Sequence, residues 1–136
     1  MSAIAFEVRL PGDSYDGAIE KVTTALKAEG FGILTRIDVH TTLKEKLGAD
    51  FRPYAILGAC NPPLAHKALS HKGEVGLMLP CNVTVEAAPG GGCIARIGDP
   101  KAMMTVGEFD RDPVFQEVAG EARRRLERVA AALRTP

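Results

Sequence analysis

Two cysteine–asparagine pairs carry the chain's most reactive side chains: Cys60-Asn61 and Cys81-Asn82, each closing an apolar run and each flanked by a proline. A thiol placed just ahead of a helix N-terminus is a candidate nucleophile or soft-metal ligand, because the positive end of the helix dipole favours the thiolate. Cys60 has that setting if Asn61 caps a helix begun by Pro62, whose missing N–H costs nothing there. The competing reading of Cys60 is a small buried residue at a tight strand-to-helix junction. Cys81 falls in phase with Val83 and Val85, which favours a core position. Together the thiols could form a disulfide, a redox couple or a soft-metal site. Their separation of 21 residues matches no short zinc or thioredoxin spacing. Asn61 and Asn82 serve equally well as backbone devices, since Asn caps helices and tolerates turn geometry. If both junctions reach one end of a sheet, Cys60, Asn61, Cys81 and Asn82 outline a pocket for a small anion or other ligand.

Asp38 and His40 form a second candidate. Two apart on one strand face, they would let a carboxylate orient an imidazole for hydrolase or isomerase chemistry, although such pairs are mostly structural. His66 and His71 are five apart on a helix, about 140° around its axis, which suits no common metal. Gly90-Gly91-Gly92 precedes a strand, so it reads as a hairpin loop; a phosphate cradle needs a helix N-terminus after it. Arg123, Arg124, Arg125 and Arg128 alternate with Glu117, Glu121 and Glu127, the pattern of a solvated helix face. Lys44 and Lys46 read the same way.

The elements that must position these residues follow from periodicity. Ile4 to Leu10 alternates as a half-buried strand and Pro11-Gly12 breaks it. Asp13 or Ser14 caps a helix to about Glu29, with Gly30 as its left-handed stop and Phe31 folded back. Residues 31–40 read as a second strand, and Thr42 with Glu45 as a capping box for a short helix ended by Gly48. Tyr54 to Cys60 is apolar on both faces, which fits a central strand or one covered by a partner. A helix from Asn61 to about His71 follows. Val75 to Val85 reads as two short strands or one bulged strand interrupted by Pro80. After a hairpin and a strand at 93–97, a helix from about Pro113 to Leu133 buries Val114, Val118, Ala122, Leu126, Val129 and Leu133. This is an α+β pattern, β-α-β4-α with a mainly antiparallel sheet, short helices inserted between strands and a long C-terminal helix, in a single domain of residues 1–136.

Composition narrows the function classes. Seventeen basic residues balance seventeen acidic ones, and five Phe, two Tyr and no Trp offer few stacking platforms, so no nucleic acid partner is expected. No apolar run approaches the ~20 residues of a membrane span. The N-terminal MSAIAFEVRLPGD lacks the basic start and apolar core of a secretory signal. A cytoplasmic protein with reduced thiols is the expectation.

The runs IDVHTTLKEKLG, YAILGACNPPLA and VGLMLPCNVTV, followed by Asp99-Pro100, occur in one order over residues 30–104 and closely resemble one bacterial and archaeal family, domain of unknown function 302. The resemblance implies a TATA-binding-protein-like α+β fold and often a homodimer. It implies no activity, no cofactor and no catalytic residues, and Cys93 lies outside its motifs. The leading expectation is a non-enzymatic homodimeric module that binds a small ligand or a partner protein. Thiol redox or soft-metal handling at Cys60, with or without Cys81, stands second; Asp38–His40 catalysis stands third.

Overall fold

The computed structural model describes residues 2–135. Five strands, β1 (Ala5–Leu10), β2 (Gly32–Asp38), β3 (Tyr54–Cys60), β4 (Cys81–Ala87) and β5 (Cys93–Gly98), form one antiparallel sheet in the order β1-β5-β4-β3-β2. Helix α1 (Tyr15–Ala28) follows β1, and α5 (Pro113–Arg134) closes the chain. Between strands lie α2 (Val39–Leu47) and α3 (Pro62–His71), and the short α4 (Pro100–Met103) follows β5. The β-α-β4-α outline and the inserted helices match the sequence reading. β3 is an interior strand, hydrogen-bonded on both edges; Ala55, Leu57 and Ala59 are buried on its core face, while Tyr54 and Ile56 on the other face stay half-buried.

Local chemistry sets the helix ends. Ser14 Oγ accepts the Gly17 N–H at 3.1 Å and begins α1. α1 stops where Gly30 takes φ +84°. There the Phe31 N–H returns to Leu26 O at 2.9 Å and the Gly30 N–H to Lys27 O at 3.0 Å, which folds the Phe31 ring back onto Leu26. Arg125 of α5 donates to Glu29 O at 3.2 Å and Arg128 to the Glu29 carboxylate at 2.8 Å, so two cations meet the negative end of α1.

The interior has two parts. The larger lies between one face of the sheet, α1 and the C-terminal half of α5, around Leu26, Phe31, Leu57, Val83, Ile97 and Leu126. The smaller gathers Ala68, Val75, Met104, Phe109, Phe115 and Val118 around the N-terminal half of α5. The stripe on α5 runs Phe115, Val118, Ala119, Ala122, Leu126, Val129, Ala130, at helical spacing. Phe115 therefore takes the core position assigned above to Val114, and Val114 and Leu133 sit half-buried at the stripe's margin. The solvated face holds for Arg124, paired with Glu121 at 3.6 Å, but not for the whole arginine set. Arg123 is half-buried between Asp99 and Glu127, and Arg125 and Arg128 pack on the end of α1.

β2 ends at Asp38 and a helix begins at Val39, so His40 lies in the first turn of α2 and shares no strand face with Asp38. Thr42 lies inside that helix, its hydroxyl on Asp38 O, instead of capping it with Glu45. Alternation in ILTRIDVH is too short a signal to locate the turn at Asp38. Residues 73–78 form a 3-10 helix instead of a strand. In that geometry side chains three apart eclipse; Val75 and Met78 accordingly both pack into the smaller core, while Leu77 is 88% exposed. β4 starts only at Cys81, after a cis Leu79–Pro80 bond.

Gly30 joins the capping and packing effects. A Cβ there would lie 2.9 Å from Asn61 Nδ2 and 3.1 Å from Arg125 Nη1, in a backbone conformation that L side chains resist. Gly30→Ala is expected to lower stability in urea denaturation by about 1–2 kcal/mol; an unchanged midpoint would refute this account of the α1–α3 contact.

Candidate functional site

The two Cys-Asn junctions do reach one end of the sheet. β3 ends at Cys60, the Asn61 Oδ1 accepts the Leu64 N–H at 3.2 Å, and Pro62 opens α3. β4 begins at Cys81, paired with Ala59, and Asn82 pairs with Gly58. Gly58 has no room for a side chain, because Thr35 Oγ1 and Pro80 Cγ occupy the place of its Cβ. Pro80 therefore packs directly on β3 and carries Cys81 with it.

Behind these junctions is a cavity of about 270 Å³, set on the seam between the two cores. Phe31, Ala59 and Ala122 wall it from the larger core; Ala68, Met104, Val118 and Ala119 wall it from the smaller. Cys60, Asn61 and Cys81 complete the wall at the sheet end, and no carboxylate or imidazole lines it. Leu34 and Leu69 stand at its rim, 67% and 43% exposed. Leu34 sits where the β2 register shifts between Ile33 and Thr35, and such a bulge re-aims a side chain out of the pleat.

Cys60 and Cys81 are half-buried, and none of the three cysteines is in a disulfide. Burial, reinforced by the neighbouring Cys60, pushes the Cys81 thiol up to about 11, so it holds its proton at neutral pH. Cys93 is buried far from this end, its thiol at 3.6 Å from Asp13 O. Asn61 is 6% exposed and its carbonyl oxygen takes one of the α3 N–H groups that an anion would need. Asn82 is exposed and lines a second cavity of about 200 Å³, which shares Leu79, Pro80, Cys81, Pro100 and Met104 with the first. Four of the six candidate residues, Cys60, Asn61, Cys81 and Asn82, thus converge.

Asp38 and His40 do not join them. The Asp38 carboxylate accepts the Tyr15 hydroxyl at 2.7 Å and the Arg36 guanidinium at 3.1 Å. These bonds hold its pKa below the usual carboxylate value, Tyr15 contributing most, while burial and the same bond push the Tyr15 phenol up. His40 turns to the start of β3, where its Nδ1 accepts the Tyr54 N–H at 3.0 Å, and its ring meets Tyr15 edge-on at 5.3 Å. That contact fastens α2 to the sheet. Among the described residues, no three His, Cys, Asp or Glu side chains converge as a metal set, and no helix is long and apolar enough to cross a membrane.

The residues missed from sequence are the alanines. Ala65 and Ala68 on α3 and Ala119 and Ala122 on α5, each pair three apart, leave the space that larger side chains would close. That spacing was visible in the sequence, but their facing one another was not.

The Asp38 contacts have a pH consequence. A carboxyl whose folded pKa is lowered adds stability above its unfolded value of ~3.9 and loses it as pH falls through the folded value. The stability gap between wild type and Asp38→Asn should therefore be full at neutral pH and close below about pH 4. Urea denaturation across that range checks it; a gap independent of pH would contradict the assignment.

No curated protein matches the chain. Among solved structures, the crystal structure of the uncharacterized conserved protein DUF302 from Bacillus stearothermophilus superposes with a TM-score of 0.83 at 30% sequence identity, covering 98% of this chain and 100% of that one. The family model for the domain of unknown function DUF302 matches residues 6–133. With fold, motif order and nearly the whole length in agreement, the chain belongs to the DUF302 family.

Proposed function

We propose that this protein is a non-enzymatic binding module whose ligand is a small, weakly polar molecule seated in the seam cavity beside Cys60 and Cys81. The observation that carries this reading is the cavity itself, about 270 Å³ of space lined by apolar side chains and opening past exposed leucines. A recess lined in this way leaves apolar surface in water, a cost that an apolar occupant removes. An apolar cavity of ~150 Å³ accepts benzene, and on that scale this one takes roughly ten non-hydrogen atoms.

The same reading includes a homodimer in a cytoplasmic setting. Exposed Leu34 and Ile37 on the edge strand β2, and three unpaired thiols, support these two parts. Sedimentation or native mass spectrometry at micromolar concentration reads the dimer directly, and a clean monomer would remove that part.

Ligand binding is tested with benzene and toluene as probes, followed by backbone amide spectra and thermal unfolding. Signals from Ala59, Leu64, Ala68 and Ala119 should shift, and a tenfold excess over Kd should add about 1.4 kcal/mol of stability. Ala119→Leu, which fills the space, should abolish both responses while the protein stays folded. Probe-induced shifts confined to other residues, or undiminished in Ala119→Leu, would sink the proposal.

A further inference from the structure

The seam cavity does not stand alone. The second cavity, of about 200 Å³, lies against it across a wall of Leu79, Pro80, Cys81, Pro100 and Met104, residues that line both. Leu77, Met78, Asn82, Gly98 and Met103 complete the lining of the second. Pro80 and Pro100 are rigid and Cys81 is short, so the wall can yield at Leu79 and above all at Met104, unbranched and with three rotatable bonds. Met104 also lines a third cavity, of about 270 Å³, beside Phe109 and Phe115. A Met104 side chain that turns aside therefore has room to enter and aromatic rings to meet, a contact that thioethers favour. Gap filling accounts for a single methionine; Met78, Met103 and Met104 around one cavity make a lining that reshapes to its occupant.

We propose that the two cavities form one site for an unbranched, uncharged hydrocarbon chain, an alkanol or an acyl amide or ester, with Met104 as the yielding partition between them. This inference rests on the seam-cavity reading above and names the ligand class for it. A compact ring fills one chamber, whereas a flexible chain follows two in series. On the scale by which ~150 Å³ holds benzene, the second cavity adds room for roughly eight non-hydrogen atoms to the roughly ten of the first. Among the described residues no charged side chain lines either cavity, so a charged ligand would lose hydration there without compensation. The start of α3 offers an anion no free N–H either: Pro62 and Pro63 have none, and those of Leu64 and Ala65 are bonded to Asn61. With Asn61 committed to that cap, the apolar tail belongs in the seam cavity. Asn82, exposed and lining the second cavity, offers a carboxamide to the hydroxyl, amide or ester head, which keeps its contact with water there.

The test is a binding series at neutral pH with benzene, 1-octanol, 1-dodecanol and dodecanoate, each below its solubility limit and followed by backbone amide spectra. Octanol fits the seam cavity alone; dodecanol needs both. Dodecanol should bind about a hundredfold more tightly than octanol, because each of its four further methylenes gains roughly three- to fourfold on burial. It should also shift the amides of Asn82, Gly98 and Met103, which benzene leaves in place. Dodecanoate should bind at least about tenfold more weakly than dodecanol. Met104→Phe, too stiff to turn aside, should cut the advantage of dodecanol over octanol to below about threefold. Dodecanol that binds no more tightly than octanol, its shifts confined to the seam residues, would overturn this inference and leave the seam reading standing. So would dodecanoate that binds as well as dodecanol. If benzene and both alkanols fail to bind, the seam reading falls and this inference with it. If Met104→Phe does not fold, the chain-length comparison on the wild-type chain decides alone.

Discussion

One helix has to serve two interiors. α5 packs its C-terminal half, from Ala122 to Ala130, against the sheet and α1, and its N-terminal half, from Phe115 to Ala119, against α3 and the 3-10 segment. Both interiors need the same stripe, so α5 fixes the distance between them. Large side chains fill each interior close to its centre. Where the two meet, the stripe narrows to Ala119 and Ala122 opposite Ala65 and Ala68, and the packing stays open. The position of the cavity is thus a consequence of how the helix divides its contacts, and the Cys-Asn junctions sit there because β3 and β4 end at that seam.

Much of this was legible in the chain. Ser14, Gly30, Gly48 and Asn61-Pro62 mark helix ends through chemistry confined to a few neighbouring residues, and all four mark real ends. The phase of Cys81 with Val83 and Val85 also followed from local pattern, whereas the meeting of both junctions at one sheet end depended on β3 pairing with β4. What escaped depended on distant partners. Where the chain turns at Asp38, its carboxylate meets the hydroxyl of Tyr15, 23 residues earlier, a partner that no local pattern names. Val75 is buried by α5 and α3 rather than by strand neighbours, so a period of two was read where a tighter helix stands. The alanines carried no signal of their own, since a small residue announces a void only when its opposite wall is known.

The two faces of the sheet show how differently the chain treats charge. Opposite the core face, Arg96 bridges Glu7 at 3.2 Å and Glu86 at 2.8 Å, and Glu86 also meets Arg52 at 3.2 Å, in a chain of pairs running across β1, β5 and β4. Glu86 is 7% exposed, and its two arginine partners compensate the cost of that burial. The seam cavity contains no such pairing. Any occupant there gives up hydration without gaining a counter-ion from a side chain, which favours apolar molecules.

Helix α2 is attached more lightly than the other long helices. It buries none of its residues and is held by the His40–Tyr54 contact, the Thr42 hydroxyl on Asp38 O and the Lys44–Asp50 pair. Little apolar area is lost when it opens, so its fluctuations are uncoupled from melting of the two cores. Protection of the α2 amides is therefore set by local opening at a free energy below that of global unfolding, which the sheet amides report.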